Sequence, residues 1–260
     1  MNLPNRLIEN FKLKIINFFM SSKSFTQFKT IIKKELRIYF NTPIAYIFVM
    51  VLLGLTFWLF FRNFFLVGQV EMRSFFSFLP WTFLFLIPAL TMRLWAEESR
   101  QGTIENLLTS SIPLPIIVLA KFCASLLFLF VALACTLPLP IALSFLGKLD
   151  WGATLVSYLG SLLIGASYIA LGLLISALTK NQIVAFIITV LISFFLFILA
   201  QPVVTYSLPN FLVEIINFLS FGAHYESITR GVIDSRDVLY YLSFVALILY
   251  FNTYFLYNKR

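Results

Sequence analysis

The chain has 260 residues, 60% hydrophobic and 12% charged, with 31 Phe, a net charge of +8 and a mean hydropathy of +0.94. A soluble domain is about half apolar and roughly a quarter charged, so a soluble fold is excluded and the class is a polytopic membrane protein. Lipid offers no partner to a free backbone amide, so the spans are helical, and continuous apolar runs without alternation exclude a β-barrel.

Residues 1–43 read as a basic arm followed by an amphipathic helix. The first strongly apolar run starts at Ile44 and is too long for a signal-peptide core, so no cleavable signal is expected. Ser24 and Gln27 have capping-box spacing. Phe25, Phe28, Ile31, Ile32, Leu36 and Tyr39 share one face, with Lys29, Lys33 and Lys34 away from it. Such a helix lies flat at the inner surface, either as a charged anchor or as a dedicated elbow, and Pro43 separates it from the first span.

A bilayer core about 30 Å thick takes roughly 20 apolar residues per helix. Six runs qualify: Ile44–Phe65, Phe75–Leu94, Phe122–Leu146, Ala153–Leu178, Ile183–Pro202 and Val238–Tyr257. The apolar run of the third begins at Ile116, and "TLPLP" (Thr136–Pro140) predicts a kink or early end there. The first 43 residues hold Arg6, Lys12, Lys14, Lys23, Lys29, Lys33, Lys34 and Arg37. With the N-terminus inside, the inner segments add Arg93, Arg100, Lys121, Lys180, Lys259 and Arg260, and the outer side keeps Arg62, Arg73, Lys148, Arg230 and Arg236. This bias places both termini in the cytoplasm. The positive charge therefore belongs to topology and anionic lipid, and no soluble domain remains for a nucleic-acid role.

The fourth span carries Ser157, Ser161, Gly165, Gly172 and Ser176 along one stripe, either a moving seam or ordinary close packing. Cys123 and Cys135 are 12 residues apart on the third span, about 18 Å of helical rise, too far for a disulfide. "GKLDWGAT" and "GSLLIGAS" have the outer glycine spacing of a phosphate loop but lack the Lys after the second Gly. The chain is therefore expected to bind neither ATP nor a metal and to be no enzyme. Ionisable residues avoid the span centres, against a secondary transporter.

Between spans two and three lies "RLWAEESRQGTIENLLTSSIPLP". Glu97, Glu98, Arg100 and Glu105 make it wet. Gly102 ends span two, and Thr103 starts a short helix with Ile104, Leu107 and Leu108 on one apolar face. Pro113 and Pro115 end it before the third span. Such a segment is either a handle for a soluble partner or a connector lying on the surface.

Glu-Glu-x-x-x-Gly-Thr-x-Glu-x-Leu-Leu, then Pro, then Lys121, resembles the coupling region of type-2 ABC exporter permeases. "DWGATLVSYLG" (Asp150–Gly160), "SALTKNQIVAF" (Ser176–Phe186) and "RGVIDSRDVLYY" (Arg230–Tyr241) resemble the gliding-motility-associated branch of that family. The resemblance runs from about Phe25 to the end. It implies an all-α chain whose coupling segment, residues 95–115, docks on a separate ABC-type ATPase that binds ATP and Mg. The coupling residues carried over are Glu97, Glu98, Gly102, Thr103, Ile104, Glu105, Leu107 and Leu108. A second permease copy or a related permease completes the assembly in the inner (plasma) membrane, among lipids. Residues 44–260 then form the transmembrane domain, and residues 203–236, with Glu214, His224 and Glu226, an external re-entrant or interfacial segment. His224 reads as a capping or surface group or as a substrate or metal contact. The alternative function is a non-transporting membrane scaffold of an ATPase-driven envelope machine. A lipid-modifying membrane enzyme is disfavoured by the missing catalytic constellation.

Overall fold

The computed structural model describes residues 22–67, 71–108, 112–205 and 209–259, and among these the chain is helical with no strand. Arg6, Lys12 and Lys14 of the basic arm lie outside the described residues. The amphipathic segment forms α1, Ser22–Asn41. It is already running at Ser22, so Ser24 sits inside the helix rather than at its cap. Pro43 opens the next helix, α2 (Pro43–Val67), at the first-turn position where its missing N–H costs nothing.

The second span is α3 (Arg73–Thr91), which tolerates Pro80 and Pro88 in its interior. It is prolonged past Met92 by α4 (Arg93–Arg100). Gly102, at φ 71°, supplies the left-handed turn into α5 (Thr103–Leu108). The third span is α6 (Leu114–Ala134), broken at the Thr136–Pro140 prolines as expected, and then α7 (Pro138–Leu146). Because α6 starts back at Leu114, Lys121 is inside the helix, about two turns from its start, and not at its mouth.

The remaining helices are α8 (Trp151–Leu178), α9 (Gln182–Ile198), α10 (Pro202–Thr205), α11 (Asn210–Leu219), α12 (Phe221–Thr229) and α13 (Ser235–Asn258). Three of them begin on a short polar cap: Asp150, Asn181 and Asp234 accept from the amides of Ala153, Ile183 and Arg236. Among the described residues, five stretches are long and apolar enough to cross a membrane: 43–62, 73–100, 114–146, 151–178 and 235–258. The other expected span, Ile183–Pro202, folds as the 17-residue α9, about 25 Å long. Pro202 disfavours helical backbone in the residue before it, and the chain turns at 199–201 before α10.

The axis of the bundle is α8, which packs against α3, α4, α6, α9, α12 and α13. Its span is 78% buried, against 28% for α2 and 33% for α13, whose outer faces are apolar and open. The small-residue stripe of α8 is used inside the chain. A Cβ on Gly165 would overlap the Leu129 side chain, and one on Gly172 would overlap the Thr91 hydroxyl and stand 2.8 Å from the Thr91 Cβ. The stripe therefore sets close approach of α6 and α3 to α8.

Gly172→Ala forces α3 and α8 apart, and overpacking of this kind costs about 1–3 kcal/mol. A Cβ added to Gly54 on α2 would meet nothing within 4 Å. Thermal unfolding in detergent is expected to show a lower midpoint for Gly172→Ala and none of that loss for Gly54→Ala. Equal midpoints for the two variants contradict the close-approach argument.

Candidate functional site

At one end of the bundle the second span does not simply stop. The amides at the start of a helix have no partner within it, and α4 begins mid-bundle at Arg93. A hydroxyl from another helix meets this need. Ser176 Oγ on α8 accepts from Trp95 N (3.0 Å) and Ala96 N (3.0 Å) and donates to Met92 O (2.8 Å). Trp95, Ala96 and Ser176 are fully buried, so this one side chain fixes the direction in which α4 leaves α3.

Beside it lies an ion cluster. Lys121 on α6 is 2% exposed. Its ammonium donates to Glu35 Oε1 (2.9 Å) on α1, Glu98 Oε1 (2.9 Å) on α4 and the Leu94 carbonyl (3.0 Å). Those three acceptors use all three ammonium protons. The charge also sits 4.9 Å from the centre of the Trp95 ring, within the range of a cation–π contact. Arg93 lies over the Tyr39 ring at 5.1 Å. Tyr39 OH and Ser125 Oγ are 2.9 Å apart, and Ser125 donates to Lys121 O, so the phenol is the donor of that pair. Burial raises the Tyr39 phenol above the ordinary tyrosine range and keeps it neutral for this role. Glu35 and Tyr39, four apart on α1, thus pin that helix to α6 from one face.

The expected coupling residues separate into two groups here. Glu98 belongs to the buried cluster. Ile104 is 7% exposed and part of the core, and Leu107 is half-buried against it. Ile104 and Leu107 thus turn toward the chain's own bundle. Gly102, Thr103 and Glu105 form the exposed side. Thr103 Oγ1 donates to Glu98 O (3.3 Å), and Glu97 accepts from Gln101 (3.3 Å). The side chain of Leu108 lies outside the described residues. A cavity of about 340 Å³ opens between α1 and the α4–α5 corner, lined by Lys34, Glu35, Arg93, Glu97, Glu98 and Lys121 among others.

Glu35 was the residue that sequence reasoning missed. A signal exists: it is the lone acid on a basic helix, and it falls on the apolar face with Ile31, Ile32 and Tyr39. Among the described residues, no group of three or more His, Cys, Asp or Glu is arranged to hold a metal.

Residues 68–260 match the family described as ABC-2 family transporter protein. The chain belongs to the ABC-2 transporter family. Its members are multi-pass membrane components and not the ATPase, and the family normally works with an ATPase subunit. No curated protein matches the sequence. In this ABC-2 chain α1 and α2 both precede the matched region, yet Glu35 of α1 reaches Lys121 inside it.

Lys121→Met leaves the Glu35 and Glu98 carboxylates facing each other without a counter-charge. Removing one partner of a buried ion cluster typically costs about 3–5 kcal/mol. A large drop in the detergent melting temperature is expected, and adding Glu35→Gln and Glu98→Gln to the same variant should restore more than half of it. Unchanged melting of Lys121→Met refutes the assignment of the cluster as a structural clamp.

Proposed function

We propose that this ABC-2 chain is the transmembrane permease subunit of an ATP-driven exporter, and that the α4–α5 corner is where a separate ATPase grips it. The observation that carries this reading is the mounting of α5. It hangs from Gly102 and is anchored inward by Ile104 and Leu107. Glu98 and Ser176 tie its carrier α4 to α6, α1 and α8. A push on the corner is therefore delivered to four membrane-associated helices at once. ATP and Mg belong to the partner. Alternating access follows if ATP binds one arrangement of the partner pair better than the other, since a ligand shifts an equilibrium only by differential affinity.

The chain crosses the inner membrane six times in this reading, through α2, α3, α6–α7, α8, α9 and α13. Both termini are cytoplasmic and α10–α12 are external. The distribution of Lys and Arg supports this orientation. A second permease copy completes the path. The pieces Asp150–Gly160, Ser176–Phe186 and Arg230–Tyr241 support placement in the gliding-motility-associated branch. Reporter fusions after Arg260 and near Lys148 should read inside and outside respectively, and an outside reading at Arg260 removes the six-crossing arrangement.

The docking side of α5 is its exposed polar face. Contacts of this kind contribute less than buried anchors. Thr103→Ala with Glu105→Ala should weaken co-purification of the ATPase several-fold and lower ATP-dependent transport, with melting unchanged. Ile104→Ala should lower the melting temperature, because its side chain belongs to the permease core. Wild-type ATPase binding and transport by the double variant would reduce α5 to a connector.

A further inference from the structure

His224 is the only histidine in the chain, and its side chain is 14% exposed. It stands on α12, at the end of the bundle opposite the ion cluster. Its Nδ1 lies 2.7 Å from Asp237 Oδ1 in the first turn of α13, and its Nε2 lies 3.1 Å from the Phe218 carbonyl near the end of α11. Both partners are acceptors. A neutral imidazole has a single N–H, so one of these two contacts would set lone pair against lone pair. The pair is complete only when it holds an additional proton, as an imidazolium facing a carboxylate. The ring is stacked on Tyr240, centroids 4.0 Å apart and planes 22° apart, a position that favours a cation.

The neighbouring carbonyls are tied in the same way. Tyr240 OH donates to Leu219 O (2.7 Å) and Tyr241 OH to Phe221 O (2.7 Å). Three side chains thus hold the corner between α11 and α12, where the carbonyls ending α11 lack helical partners. Two of them are phenols, which keep their proton at neutral pH. The third is a histidine, the one ring of the three that can hold a second N–H proton.

The charged and titratable groups on the elements packed against α12 are few. They are Glu214 on α11, Arg236, Asp237, Tyr240 and Tyr241 at the start of α13, Tyr158 and Tyr168 on α8, and Arg73 on α3; α9 has none. On α12 itself, Glu226 and Arg230 pair with each other (3.0 Å) and Tyr225 donates to Phe76 O. Asp237 is the charged group bonded to the imidazole, and Tyr240 and Tyr241 are the phenols in ring contact with it.

We propose that the His224–Asp237 pair is a proton-binding site that clamps α11 to α13: loaded, it holds the corner closed; as pH rises and the proton leaves, the bond to Phe218 O is lost and α11 loosens. The site itself does not depend on the transport reading, which only decides that the pH sensed is that of the external compartment. The experiment uses the full purified chain in detergent. A single histidine gives a single imidazole signal by NMR, with no assignment needed. Amide exchange of residues 210–219, corrected for the chemical rate, should increase about tenfold as pH rises through the imidazole's titration. Asp237→Asn should move that transition to lower pH, and His224→Gln should abolish it. Exchange that stays flat while the imidazole titrates, or a His224→Gln variant that keeps the wild-type transition, overturns the proposal. Should His224→Gln not fold, the wild-type and Asp237→Asn profiles decide alone. No ATPase takes part, so a negative result here leaves the exporter reading untouched.

Discussion

An ammonium cannot be taken out of water without acceptors for its protons and charge for its charge. Lys121 finds its acceptors on three segments that are distant in sequence, at Glu35, Leu94 and Glu98. That requirement fixes this end of the bundle. Moving α1 away would strip one carboxylate from the ammonium, and swinging α4 away would strip the other together with the Leu94 carbonyl. Arg93, held over Tyr39, lines the same cavity. An ammonium bonded to three acceptors on separate segments holds them in one arrangement where an apolar contact would allow sliding.

The same device recurs along α8 with neutral groups. At two places where the backbone is left without a helical partner, at the start of α4 and at Phe76, whose carbonyl would otherwise accept from position 80, a proline, a hydroxyl from a neighbour meets it. Ser176 serves the start of α4. At the opposite end Tyr225 donates to Phe76 O and lies 3.0 Å from Ser161 Oγ. Lipid forbids an unpaired amide or carbonyl at these breaks, so each short helix is held in a set direction. Between the two ends, Gly165 and Gly172 bring α6 and α3 close to α8. The result is a rigid axis carrying its breaks at its ends, with α2 and much of α13 left as open apolar walls.

Five of the spans, the Thr136–Pro140 break and the Gly102 turn were legible in the sequence, because each rests on local chemistry: apolar length, a missing N–H, a residue that tolerates positive φ. The short helix after Gly102 was legible as well, from Thr103 at its start and the apolar spacing of Ile104 and Leu107. What local chemistry could not say was which surface an apolar face would meet. Ile104 and Leu107 read as partner anchors, but periodicity identifies a stripe and not what covers it. Lys121 read as a residue at the membrane edge because a charge was taken to bound the span. A charge bounds a span only where it lacks partners, and Glu35, 86 residues away, was invisible as its partner. The 17-residue α9 followed from Pro202, whose effect on the preceding residue outweighed the length of the apolar run.

The inward turn of the α5 apolar face changes what a partner can do to this chain. Had Ile104 and Leu107 been seated in a groove of the ATPase, the corner could be pulled outward as a separate arm. With those side chains in the permease core, pulling α5 out exposes apolar surface and also loads the Thr103–Glu98 and Lys121 bonds behind it. Pushing meets no such opposition, because the corner bears on α4, and α4 bears on α8 and α6. On the proposed reading, then, force enters as compression through a polar face, and it moves α1, α4 and α6 as one body about the α8 axis.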